Sequence, residues 1–300
     1  MSGIKKIHRI YFGFDGKPDP YGKYLETWFS ELPDYEVMHW DSTNLPIDVC
    51  EYTKALFKEK DGPFLSDYYR WYLLREHGGI YLDADIEVVN GDIFNKLIEE
   101  LSISTEYDTI IGIENRWGYT AHSVASRANA NLPKFMCELY ETLGHIYHLR
   151  KSKLVAPQLI QPYFFQNGLS EKRDGVIDLK NQPLVLGDVK IFPQEYFSPL
   201  GFSQPPFLEI YTINSCLCHH FGGSWLPSNS GLSRGNLDNL ALLRDYIKPL
   251  GDSKKNNFIL KFKSYYFRFW RVLSNEGFLL VYKKVIKKLS RKFSIYSDSL

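Results

Sequence analysis

Residues 7–14, Ile-His-Arg-Ile-Tyr-Phe-Gly-Phe, are rich in β-formers and stop at Asp15-Gly16; a helical stretch from Lys23 to Glu31 follows and is closed by Leu32-Pro33-Asp34. A second β-rich run, Tyr35 to Trp40, comes next. Strand, helix and strand in that order form a βαβ unit, which commits the chain to a parallel sheet with covering helices. An early strand that runs into a loop is also where such folds place ligands. With 300 residues and 44% hydrophobic content, the chain suits one large α/β domain or a domain with an appendage.

The next long helical pattern spans 64–77, with Pro63 suited to its first turn and Gly78-Gly79 as the stop. Ile80 to Val89 then alternates as a strand: Ile80, Leu82, Ala84, Ile86 and Val88 fall on one face, and Tyr81, Asp83 and Asp85 on the other. Further on, the sequence predicts a strand at Thr109 to Ile113, helices near 133–149 and 157–166, Pro-punctuated loops from 183 to 206, and a late strand from Ile210 to Phe221.

Asp83-Ala84-Asp85 is the central chemical signal. Hard divalent cations such as Mn²⁺ and Mg²⁺ take oxygen ligands and bind nucleotide diphosphates through a few carboxylates plus phosphate oxygens. Alone, such a pair also occurs on solvated strand ends. Asp67 and Arg70, three apart on the preceding helix, project from one face and change that weighting, since they are suited to orienting sugar and ribose hydroxyls. The third element is His219-His220-Phe221-Gly222-Gly223-Ser224-Trp225. On an extended strand the two histidines point to opposite faces, so one is a candidate ligand and the other structural. The glycines let backbone amides approach phosphate, with Ser224 Oγ and Trp225 Nε1 as donors.

The total charge of +1 hides a split, because residues 254–300 hold 12 Lys/Arg against Glu276 and Asp298 alone. Within that tail Phe278, Leu279, Tyr282, Val285, Ile286 and Leu289 recur at helical spacing among lysines, the pattern of an interfacial amphipathic helix. The expected organisation is therefore a catalytic domain over 1–253 and a basic helical extension over 254–300 that lies on an anionic membrane surface. No nucleic-acid-binding fold is recognisable. Cys50, Cys137, Cys216 and Cys218 match neither a disulfide framework nor paired CxxC motifs, which suits a reducing compartment. No signal peptide and no membrane span are expected, and the sequence reads as cytoplasmic, peripheral on the inner face of the cytoplasmic membrane.

Together, Lys6 to Gly13, Ser66 to Arg70 through Leu74, Gly78 to Asp85 and the His-His…Ser-Trp run resemble the DxD glycosyltransferases often called family 32. That group includes yeast initiating mannosyltransferases and bacterial capsule and O-antigen enzymes, with the clostridial glucosylating toxins as distant relatives. The resemblance implies a GT-A fold, Rossmann-like, and Mn²⁺ or Mg²⁺ as cofactor. It implies retaining transfer of a hexose or N-acetylhexosamine from a nucleotide-diphosphate sugar, UDP-linked, to a glycan or lipid-linked oligosaccharide in bacterial surface polysaccharide synthesis. Carried over by position, Asp67 and Arg70 contact donor sugar and ribose, Asp83 the ribose or a metal-bound water, and Asp85 the metal. His220, five residues before Trp225, is preferred to His219 as second metal ligand. Ser224 and Trp225 bind the diphosphate, and Tyr11, Phe12, Gly13 and Tyr81 complete the nucleotide-sugar contacts. Two positions depart from the pattern: Tyr11 stands where relatives carry Trp, and Ala156-Pro157 where they carry Gly-Pro.

Two rivals stand beside this reading. A phosphatase of the haloacid dehalogenase type also uses DxD after a hydrophobic strand, near the first strand and usually before Gly-Thr; here Asp85 precedes Ile86-Glu87. The other is an inactive scaffold whose tail does the work.

Overall fold

The computed structural model describes residues 4–115, 118–144, 155–167, 177, 179, 181–200 and 211–221. The expected tail 254–300, its boundary at 253, and Ser224 and Trp225 lie outside the described residues.

The βαβ unit forms as read: β1 (Lys6–Ile10), α1 (Gly22–Glu31) and β2 (Glu36–Trp40), with β1 parallel to β2 and Ile7 opposite Val37. β1 is shorter than the β-rich run because the chain turns at once through Phe14–Gly16, where Asp15 and Gly16 take φ of 60° and 72°. Two helices, α2 (Glu51–Lys58) and α3 (Gly62–His77), then carry the chain back to β3 (Gly79–Leu82), parallel to β1 on the side away from β2.

Local chemistry sets both ends of α3. The Asp61 side chain accepts from Phe64 N at its start, where Pro63 needs no partner for a missing N–H. At its end Gly78 and Gly79 have φ of 63° and 99°. A Cβ on Gly78 would lie 2.5 Å from Ala128 N, and one on Gly79 2.7 Å from Lys6 O, so both conformation and strand packing demand glycine there.

Beyond β3 the sheet turns mixed. β7 (Ser123–Ser126) pairs antiparallel with β3 and with β5 (Thr109–Asn115); β9 (Val189–Phe192) runs parallel to β5; β8 (Leu184–Leu186) forms an antiparallel margin; β6 (Gly118–Tyr119) flanks β5. The strand order β2-β1-β3-β7-β5-β9-β8 reverses direction at β1, so the carboxyl ends of β1 and β3 open onto a topological switch point, the usual ligand crevice of α/β sheets. The core beneath is built from Ile7, Trp28, Ile80, Leu82, Ile86 and Phe94, with Leu97 and Leu101 of α4 (Gly91–Ile103).

The Ile80–Val89 run is not one strand. β3 ends at Leu82, and residues 83–85 form a turn. The chain then resumes as β4 (Ile86–Val88), which leaves the main sheet and pairs antiparallel with β10 (Leu217–His219). Asp83 N makes the last bond to the β7 side, at His122 O 2.8 Å away, and Ile86 N closes the turn on Asp83 O at 3.1 Å. Trp28 Nε1 of α1 captures Ile86 O at 2.7 Å, and Thr27 Oγ1 accepts from Val88 N at 3.0 Å, so a helix rather than the sheet holds the chain beyond the turn. Alternation alone misses this, because β3 is buried on both faces.

Other boundaries shift as well. The helix expected at 133–149 is α5 (Asn131–Leu143) within the described residues. The one expected at 157–166 divides into α6 (Ala156–Leu159) and α7 (Gln161–Gln166), with Pro162 opening the second. Of the late strand expected from Ile210, only Leu217–His219 is strand among the described residues. No helix among them is long and apolar enough to cross a membrane.

Candidate active site

Arg70 is the anchor of the site. It is 4% exposed on α3, and its guanidinium donates to Ser66 O at 3.0 Å, Ala121 O at 2.8 Å and Ser66 Oγ at 3.3 Å. The same group pairs with Asp67 Oδ1 at 2.8 Å and Asp83 Oδ1 at 3.4 Å, and lies over the Tyr81 ring at 4.8 Å. Burial opposes its charge, but Asp83, Tyr81 and Asp67 more than offset that and raise its pKa. Burial pushes the Asp67 carboxyl up to about 7, with Arg70 pulling against the shift and Asp83 adding to it. The helical i, i+3 pair is thus a buried arrangement that reaches across to the DxD turn, not a solvated surface bridge.

Asp83 is fixed from two sides, since the buried Tyr81 hydroxyl donates to its Oδ1 at 2.5 Å. Asp85, 8% exposed, has its Oδ1 3.4 Å from His219 Nε2. The ligand atoms of Asp83, Asp85 and His219 all lie within 4.8 Å of one another. Pairing of β4 with β10 produces this: Ile86 opposes His219 and Glu87 opposes Cys218, while His220 N bonds Asp85 O at 3.3 Å. The acidic turn and the imidazole-bearing strand, distant in sequence, are neighbours in the fold.

The two histidines divide as strand geometry requires, and in the opposite sense to the sequence expectation. His219 faces the aspartates. His220 faces away, with Nε2 2.7 Å from Glu87 Oε2 and its ring stacked on Tyr24 at 4.5 Å. The His219 ring is held between His122, at 4.2 Å, and Phe221, at 4.1 Å. Burial lowers the His219 pKa, but Asp85, Asp83 and Glu114 outweigh it and the net shift is upward.

Sequence reasoning passed over two neighbours. Glu114, at the carboxyl end of β5, is pushed up to about 7 by burial, with His219 lowering it and Asp83 raising it, so it belongs to the same electrostatic cluster. A carboxylate ending the apolar run Ile110-Ile111-Gly112-Ile113 was the available signal. His122 is 2% exposed, and neither ring nitrogen has a hydrogen-bond partner among the described residues; burial holds it neutral by lowering its pKa well below the usual value. Nothing in its local sequence marks it.

At the end of β1, Tyr11 N donates to Trp40 O at 3.0 Å and its hydroxyl to Pro18 O at 2.7 Å. Phe12 is buried, stacked on Phe14 and 6.0 Å from the Tyr69 ring of α3. Gly13 packs so closely that a Cβ would lie 2.9 Å from Lys17 O.

The donor set suits a divalent cation. Two carboxylates and an imidazole converge, and His219 Nδ1 is buried without a hydrogen-bond partner among the described residues.

Residues 18–103 match the family model described as a glycosyltransferase sugar-binding region containing a DXD motif. No curated protein matches the chain in sequence. Among solved structures the chain is similar to the PaToxG glycosyltransferase, with a TM-score of 0.43 and 15% identity over 54% of this chain and 68% of that one. It is also similar to a glycosyltransferase involved in glycosylation of the major capsid of PBCV-1, with a TM-score of 0.37 and 12% identity over 81% of this chain and 98% of that one. A third is the glycosyltransferase domain from the YGT toxin, with a TM-score of 0.30 and 11% identity over 56% of this chain and 69% of that one.

Proposed function

We propose that this chain is a metal-dependent retaining glycosyltransferase of GT-A fold, with a UDP-sugar as donor and Asp83, Asp85 and His219 as the residues that hold Mn²⁺ or Mg²⁺. The observation that carries the reading is the convergence of those three side chains beside the switch point between β1 and β3, behind which Arg70 is locked to Asp67 and Asp83. His219 takes the ligand role expected of His220, because it is the imidazole 3.4 Å from Asp85. An imidazole in the set favours Mn²⁺ over Mg²⁺.

A bound divalent cation would supply the charge that neutralises a departing nucleoside diphosphate. The protein's own part is preorganisation. Tyr81 and Arg70 hold Asp83 in one orientation, so no reorganisation is needed when charge develops nearby. Asp67 and Arg70 orient sugar and ribose hydroxyls. Tyr11, Phe12 and Gly13 flank the nucleoside at the end of β1, and Ser224 and Trp225 donate to diphosphate oxygens. The acceptor is a lipid-linked oligosaccharide of a bacterial surface polysaccharide, and the basic segment 254–300 keeps the enzyme on the inner face of the cytoplasmic membrane, where that acceptor resides.

Transfer from UDP-sugars to a glycan acceptor, with and without Mn²⁺, tests the assignment together with Asp85→Ala. The variant is expected to stay folded, lose Mn²⁺ binding by electron paramagnetic resonance and lose turnover. Full activity in folded Asp85→Ala would sink the metal role, and phosphate release without a nucleotide sugar would favour a phosphatase.

A further inference from the structure

The ribbon of β4 and β10 carries a second set of converging ligands on the face turned away from Asp85 and His219. Cys218 and His220 are two apart along an extended segment and so share a side, and Glu87 stands directly opposite Cys218 in the register. The Cys218 Sγ, a His220 ring nitrogen and a Glu87 carboxylate oxygen lie within 4.8 Å of one another. We propose that Glu87, Cys218 and His220 form a second metal site, selective for Zn²⁺, that fastens β10 to β4.

Three observations argue for it beyond proximity. The His220 ring is already oriented by stacking on Tyr24 at 4.5 Å, which leaves Nε2 aimed at Glu87. Cys218 is buried in the β4–β10 pairing directly opposite Glu87, so packing and register hold its sulfur beside that carboxylate. The donor set also differs in kind from that of the acidic turn. One thiolate, one imidazole and one carboxylate make a borderline-soft site that matches Zn²⁺, whereas two carboxylates and an imidazole without sulfur suit Mn²⁺ or Mg²⁺. The two faces of one ribbon would thus sort two cations by ligand chemistry.

The His220–Glu87 pair needs little adjustment. His220 Nε2 and Glu87 Oε2 are 2.7 Å apart, a direct hydrogen bond. Ligands about 2.0 Å from a tetrahedral ion stand roughly 3.3 Å apart, so the ion takes the place of the shared proton and the two side chains part by roughly half an ångström. Binding releases the thiol proton, and the thiolate and carboxylate charges balance the cation. A fourth position remains for water. Because His219 lies between Cys218 and His220, closing this site also fixes the imidazole on the other face.

Cobalt serves as the probe, since only a sulfur ligand gives thiolate-to-Co²⁺ charge-transfer absorption. The full chain, stripped with chelator, is titrated with Co²⁺ in excess Mg²⁺. One equivalent is expected to produce the charge-transfer band, and Zn²⁺ to abolish it by displacement. Cys218→Ser should remove the band, while Asp85→Asn should keep it, which separates this site from the acidic turn. Should Cys218→Ser fail to fold by circular dichroism, His220→Asn decides: Zn²⁺ affinity should fall at least about 100-fold, the upper end for loss of a merely supporting contact. Absence of the band in the wild type, its survival in folded Cys218→Ser, or an unchanged Zn²⁺ affinity in His220→Asn overturns the proposal.

Discussion

His8→Gln should flatten part of the stability profile between neutral and acid pH. His8 lies in β1, 1% exposed, with Nε2 2.8 Å from Gly78 O and Nδ1 3.1 Å from Trp40 Nε1. Indole nitrogen is a donor only, so Nδ1 accepts and the ring proton sits on Nε2, donating to Gly78. A second proton would face the Trp40 N–H. Desolvation by burial lowers the His8 pKa to about 4, with the Gly78 carbonyl opposing the shift and His77 and Lys6 adding to it. The folded value is depressed below the unfolded value of about 6.5, so the unfolded chain binds more protons between the two. Stability from this group is complete above about pH 6.5 and is lost as pH falls through about 4. A difference of about 2.5 units at about 1.4 kcal/mol each corresponds to roughly 3.5 kcal/mol in full, of which about 3 kcal/mol is lost by pH 4. Asp67 and Glu114, both pushed up to about 7, act in the opposite sense, since they hold protons in the folded state that the unfolded chain releases. The wild-type profile mixes these contributions, and the comparison with His8→Gln isolates one of them. Gln keeps an N–H for Gly78 and cannot titrate. Urea unfolding at pH 7.5 and pH 4 should show the wild type losing about 3 kcal/mol more than the variant over that interval. Parallel losses in the two proteins would refute the buried neutral imidazole.

Arg70→Met should cost about 3–5 kcal/mol in chemical denaturation, because it strands Asp67 and Asp83 without their shared cation. Arg70→Lys should recover little of that, since a single ammonium cannot replace the fork that meets Ser66, Ala121 and Asp67 together. Gly91→Ala places a Cβ 2.0 Å from Glu31 O and should destabilise the junction of α1 with α4 by about 2–3 kcal/mol, read from the thermal midpoint. Trp28→Phe leaves Ile86 O without its 2.7 Å donor; the expected cost is about 1–3 kcal/mol, with weaker Mn²⁺ binding as the DxD turn loosens.

What the sequence made legible follows from the range of each signal. The βαβ start, the long helix begun at Pro63 and stopped by Gly78-Gly79, and the Asp67/Arg70 pair are written in residues a few positions apart, and each takes the expected local form. The break after Leu82 has no local signal. Alternation continues through it, while the bonds that impose it come from His122, Trp28 and β10. Which histidine meets Asp85 depended on a register between segments far apart in the chain, and strand geometry could say only that the two would separate. The antiparallel insertion of β7, which brings His122 and Ser123 beside β3, was equally invisible, because a four-residue strand buried on both faces carries no readable period.

Because the imidazole beside Asp85 comes from β10, the strands up to β9 can complete the main sheet while the proposed cation site still lacks its third member. The antiparallel closure of β4 on β10 is a long-range, slow kind of contact. On the proposed metal role, cation affinity requires this pairing, and a lesion that frays β10 should remove it while leaving the helix content read by circular dichroism almost untouched.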